Sequence, residues 1–96
     1  MMVSMLSIDI KKLVIDALKP REISLAELAK AIGNIECVED VMISVSETDM
    51  RTETVRMTLS GQGICYDDVL KVLTENGTAL KSVDEIAVSK RQKKIV

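Results

Sequence analysis

The chain is 96 residues long, a length that supports one domain around a single core. It is 47% apolar and 29% charged, as folded globular proteins are, yet it has no Phe, no Trp and one Tyr, so Ile, Val, Leu, Met and Ala must fill that core. The absence of histidine excludes Ser-His-Asp and Cys-His catalysis and His-containing zinc sites, while the net charge of −2 and the missing aromatic platforms speak against nucleic acid as a partner.

Met1 to Ile8 are apolar in patches without a basic leader or a cleavage-site pattern, and no apolar run nears the ~18–20 residues that span a bilayer. The expectation is a cytoplasmic protein with no membrane partner. From Ile8 to Leu18, Leu13, Ile15 and Ala17 alternate with Lys12, Val14 and Asp16, which predicts a half-buried strand ended by Pro20. Ser24 and Glu27 then stand at capping-box spacing, and Leu25, Leu28, Ala29 and Ile32 mark one face of a helix that stops at Gly33-Asn34.

Val41, Ile43 and Val45 predict a second strand, Glu47 to Arg51 a polar turn, and Val55, Met57 and Leu59 a third strand paired with the second as a hairpin. Gly61-Gln62-Gly63 breaks the chain before a second helix with Tyr66, Val69, Leu70 and Leu73 on its apolar face. Asp67 and Asp68 suit the positive end of that helix, and Asn76-Gly77 end it. Ser82 to Val88 read as a last strand, followed by the basic tail Lys90-Arg91-Gln92-Lys93-Lys94, read as solvated.

The order βαββαβ is a split βαβ repeat, which predicts an α+β, ferredoxin-like fold: a four-stranded antiparallel sheet, strands one and three central, two helices on one face. One domain covers 1–96, with 1–7 and 90–96 as flexible ends. By strand parity the uncovered face carries Lys12, Val14, Asp16 and Leu18, with Thr54, Arg56, Met42, Val83, Glu85 and Ala87 from the neighbouring strands. That mixture is too polar for a second core and apolar enough in patches to favour self-association.

Two groups of carboxylates stand out. Glu47, Asp49 and Glu53 lie across the hairpin turn, where they form either a solvated tip or an oxygen-rich site for Ca²⁺ or Mg²⁺. Asp16, placed in a strand, is expected near Glu53, Asp84 and Glu85, with either a cation such as Arg56 or Lys81 or a bound ligand as its partner. Cys37 and Cys65 stand 28 positions apart and form no C-x-x-C pair. Cys65 falls at the start of the second helix and reads as a small half-buried side chain; Cys37 shows no activating neighbour in the sequence.

Three stretches, Ile15-Asp16-Ala17-Leu18-Lys19-Pro20, Glu47-Thr48-Asp49 through Thr52-Glu53, and Ser82-Val83-Asp84-Glu85, together resemble domain-of-unknown-function family 211, a set of small archaeal proteins. The similarity runs from about Ile8 to Val88, in order and in spacing. It implies a ferredoxin-like subunit, assembly into closed ring-like homo-oligomers and no assigned activity. It also implies that Asp16, Glu47, Asp49, Glu53, Asp84 and Glu85 occupy the family's acidic motif positions, which strengthens the reading of a divalent cation or small ligand held by acidic residues. Cys65 departs from the acidic residue expected at that helix start. The leading expectation is a non-enzymatic ring-forming protein. The alternative is an ACT-like regulatory module binding an amino acid or other small metabolite, although Lys19-Pro20-Arg21-Glu22 lacks the glycine such domains usually place after the first strand.

Overall fold

A computed structural model describes the backbone of residues 3–95 and the side chains of residues 7–90. In chain order the elements are β1 (Val3–Pro20), α1 (Leu25–Gly33), β2 (Asp40–Thr48), β3 (Thr52–Ser60), α2 (Tyr66–Glu75) and β4 (Ala79–Ile95). The four strands form one sheet in the order β2-β3-β1-β4, antiparallel throughout, and the fold is ferredoxin-like α+β as the order of elements requires. Among the described residues no helix is long and apolar enough to cross a membrane.

Local chemistry sets the start of α1 and the stop of α2. At α1, Ser24 Oγ accepts the Glu27 N–H at 3.0 Å while Glu27 Oε1 accepts the Ser24 N–H, the reciprocal pair of a capping box. The α2 stop is a left-handed turn. Gly77 has φ +66°, its N–H donates to Thr74 O, and the Thr78 N–H reaches back to Leu73 O at 2.8 Å.

The core lies between the helices and one side of the sheet. Leu13, Ile15 and Ala17 of β1 and Val55, Met57 and Leu59 of β3 are buried against Leu28 and Ile32 of α1 and Val69 and Leu73 of α2. At roughly 1.5–3 kcal/mol per large aliphatic side chain, these residues supply the main favourable term of folding without any ring.

Besides a bulge that leaves Ser46 as an extra residue on β2, two features depart from simple parity. First, the β1–β4 ladder is interrupted three times: Lys11 is an extra residue on β1, and Lys81 and Asp84 are extra residues on β4. A bulge shifts everything beyond it to the other face. Val83 therefore stands opposite Ile15, on the helix side, not on the uncovered face where plain alternation places it. Second, Val14 and Thr54, expected to be exposed on the uncovered face, are buried there. Lys12, Asp16, Arg56 and Glu85 flank them in register, and their paired side chains roof that part of the sheet.

β1 and β4 run on beyond the sheet as a two-stranded ribbon, Val3 opposite Ile95. Much of the stretch expected as flexible ends thus has strand backbone; the rest of it, Met1, Met2 and Val96, lies outside the described residues.

Candidate functional site

The six carboxylates singled out in the sequence fall into three places. Glu53 lies on the helix side of the sheet, opposite Lys19. Lys19 continues the row of Leu13, Ile15 and Ala17 and is only 1% exposed. A buried ammonium has to use its protons, and this one does. It sits 2.8 Å from Glu53 Oε1, donates to Pro20 O at 3.0 Å, and donates to Ile23 O. Glu53 is thus the counter-ion of a core lysine.

Asp16, Asp84 and Glu85 do meet on the uncovered face, as expected, and each has a cation. Arg56 Nη1 lies 3.5 Å from Asp16 Oδ1 and 3.1 Å from Asp84 Oδ2. Asp84 reaches that position because it is a bulge residue, and its other oxygen accepts from Ser82 Oγ at 2.9 Å. Lys12 Nζ lies 2.8 Å from Glu85 Oε2. The Lys12 hydrogen bond and charge hold the Glu85 carboxyl below its ordinary value of 4.5. A carboxyl lowered in this way adds stability above its unfolded-state value and loses it as pH falls through the folded one. At this exposed site salt screens the effect.

Glu47 and Asp49 stand at the hairpin tip, where Thr48 between them is opposite Glu53, whose own side chain is taken by Lys19. The tip is held through backbone: the Asp49 N–H donates to Thr52 O at 2.8 Å, and Arg21 Nη1 donates to Asp49 O at 3.3 Å. Among the described residues no group of three or more Asp, Glu or Cys side chains is gathered as a metal-binding set. A cation at Asp16 and Asp84 would have to displace Arg56, whose guanidinium already supplies positive charge between them.

Two features were hidden from the sequence. The first is the pair of cysteines. Cys65 caps α2 without a side-chain cap bond, and its own N–H donates to Cys37 Sγ at 2.8 Å. The neighbouring Cys37 thiol above all, followed by desolvation and the nearby Asp68 carboxylate, pushes the Cys65 thiol up to about 11. Cys37 therefore has a close partner that a spacing of 28 positions does not suggest.

The second is an apolar stripe along the outer edge. Leu80, Val83, Ile86 and Val88 of β4 stand opposite Ala17, Ile15, Leu13 and Ile10, on the helix side of the sheet, where the helices leave them uncovered. The stripe is between 36% (Leu80) and 54% (Val88) exposed, and Ile8 nearby is 66% exposed. Among the described residues, one surface hollow of about 280 Å³ lies between the helices near Asn34 and Lys71, and another of similar size at the base of the ribbon near Asp9 and Ser89.

Residues 11–96 match the model of a protein family described as Uncharacterized ArCR, DUF211. The chain is also similar to an uncharacterized protein of Methanocaldococcus jannaschii, 29% identical over 82 residues, which are 85% of this chain and 84% of that relative.

Proposed function

The chain belongs to the DUF211 family, and from that premise we propose that it is a non-enzymatic subunit that packs head to tail into a closed, ring-like homo-oligomer. The observation that carries this reading is the β4 stripe. Leu80, Val83, Ile86 and Val88 are large, aliphatic and in line, and they continue the core face of the sheet outward while a third to a half of their surface stays open. Such a patch at a sheet edge is a contact surface or an aggregation hazard, and closure into a ring removes the hazard.

The opposite edge fits as the other half of the contact. β2 is the far edge strand, with Met42 and Val45 exposed. From Glu36 to Met50 the chain carries five acidic residues (Glu36, Glu39, Asp40, Glu47, Asp49) and no Lys or Arg, whereas β4 carries Lys81 and the basic run from Lys90 to Lys94. Two different edges with opposite charge describe a heterologous contact, the kind that generates rings. The bulges at Lys81 and Asp84 interrupt the ladder, so the contact rests on side-chain packing and charge more than on a continued sheet. A divalent cation is not needed for this assembly. One at Glu47 and Asp49 would draw its remaining ligands from the neighbouring subunit.

Native mass spectrometry and light scattering test the proposal. The expected result is a single closed oligomer, and a Val83→Lys/Ile86→Lys variant that is monomeric with an unchanged circular-dichroism spectrum. A wild-type monomer at tens of micromolar would overturn it and bring forward the amino-acid-binding module, read by a thermal-shift screen. Repeating the mass measurement with a chelator shows whether Ca²⁺ or Mg²⁺ belongs to the assembly: chelator-labile mass would place a cation in it.

A further inference from the structure

We propose that Cys37 and Cys65 form a reversible intramolecular disulfide by exchange with low-molecular-weight disulfides, locking the start of α2 to the chain that leads into β2. The observation is geometric. Cys37 Sγ accepts the backbone N–H of Cys65 at 2.8 Å. A sulfur already seated on its partner's backbone N–H stands within reach of side-chain rotation toward the ~2.05 Å of a disulfide.

The two chain segments are also fixed relative to each other. Gly61, at the exit of β3, passes so close to the Cys37 carbonyl that a Cβ there would lie 2.5 Å from the oxygen. The Glu39 N–H donates to Ser60 O at 2.8 Å beside it. Cys37 is half-buried at the rim of the core, while Cys65 is exposed and open to a small oxidant. Cys65 Sγ rests on Gly63 O at 3.7 Å, so no strong interaction holds it away from Cys37.

The chemistry is two-step exchange. One protein thiol gives up its proton and attacks a sulfur of the oxidant R–S–S–R, breaking that bond and releasing RS⁻, which takes up the proton. The second protein thiol, deprotonated in turn, attacks the protein-side sulfur of the mixed disulfide. The Cys37–Cys65 bond forms and a second RSH leaves. Two electrons pass from the dithiol to the oxidant, giving one protein disulfide and two small thiols. The new bond closes a loop that contains the whole β2–β3 hairpin, and cross-linking a loop of that length restricts the unfolded chain.

The test treats the folded wild-type protein with oxidised glutathione and reads the intact mass. The expected product has lost the mass of two hydrogen atoms and carries no glutathione. Non-reducing peptide mapping should join the Cys37 and Cys65 peptides, and dithiothreitol should restore the reduced form. The melting temperature should rise on oxidation by an amount on the order of 10 °C. A Cys37→Ser variant should stop at the mixed disulfide, with one glutathione on Cys65, and a Cys65→Ser variant supplies the converse. Wild-type protein that keeps glutathione adducts, or that cross-links between copies, would overturn the proposal. The outcome does not depend on whether the protein forms a ring.

Discussion

A lysine on the core side of a strand is costly unless every proton is used, and Lys19 shows how this chain meets that condition. Its side chain is 1% exposed, and Glu53, Pro20 O and Ile23 O surround the ammonium. The two carbonyls belong to the turn between β1 and α1, so the lysine ties that turn to β3 as well as neutralising Glu53. Removing the carboxylate alone leaves a buried cation with neutral partners, so Glu53→Gln should cost about 3 kcal/mol. That is the lower end for broken buried pairs, because the Glu53 side chain keeps 22% of its surface in water. Lys19→Met together with Glu53→Gln should cost clearly less than the sum of the single changes. Urea unfolding of the four proteins measures this, and a Glu53→Gln cost below about 1 kcal/mol would mean that the carbonyls alone satisfy Lys19. Lys19 follows the alternation of Ala17 but also stands beside Pro20, where strands end, and so Glu53 read with Glu47 and Asp49 as a hairpin-tip carboxylate, solvated or metal-binding, and not as a lysine's counter-ion. Asp16 was easier: a carboxylate in a central strand needs a cation, and Arg56, its direct cross-strand neighbour, is that cation.

At the scale of elements, the readable features were those whose chemistry is complete within a few residues. The Ser24–Glu27 box and the Asn76-Gly77 stop each satisfy backbone groups of their own helix, so their residue types announce them. Gly77 is the sharper case, since its φ of +66° is a conformation that a side chain resists. Gly77→Ala should destabilise by about 1 kcal/mol, seen as a lower denaturation midpoint at an unchanged slope; no change would show that the turn relaxes to another form. The α1 stop differs. Asn34 caps it with φ −78°, so its position was legible but not its conformation, which is right-handed. The bulges at Lys81 and Asp84 were not legible at all, because an extra residue is defined only against a partner strand. They are what moves Val83 to the helix side and lets the adjacent Asp84 and Glu85 both find cations on the uncovered face. The cysteine pair was hidden for a related reason, since its proximity depends on Gly61 running against the Cys37 backbone.

The whole molecule is longer than its chain length requires. Its radius of gyration is 15.6 Å and its extents are 61 × 21 × 17 Å, whereas a compact chain of this size has a radius near 12–13 Å. The excess is the β1–β4 ribbon, and two strands alone hold together only marginally in water. A neighbouring subunit against the ribbon and the β4 stripe would supply the missing packing, which couples the stability of the subunit to its assembly. The charge asymmetry between the β2 and β4 edges allows that contact to be tested for polarity. A Glu39→Lys/Glu47→Lys/Asp49→Lys variant turns the segment from Glu36 to Met50 net positive and is cationic on both edges, and a Lys81→Glu/Lys90→Glu variant is acidic on β2 and turns β4 net negative. Each alone should associate less than wild type, with the difference shrinking in high salt as screening removes the repulsion. Mixed in equal amounts, the two variants should recover assembly, because each reversed edge then meets an edge of opposite sign. Native mass spectrometry of the mixture should show complexes in which the two variants alternate. A contact in which β4 packs on a second β4 predicts otherwise: reversing the β2 edge alone would have no effect on association.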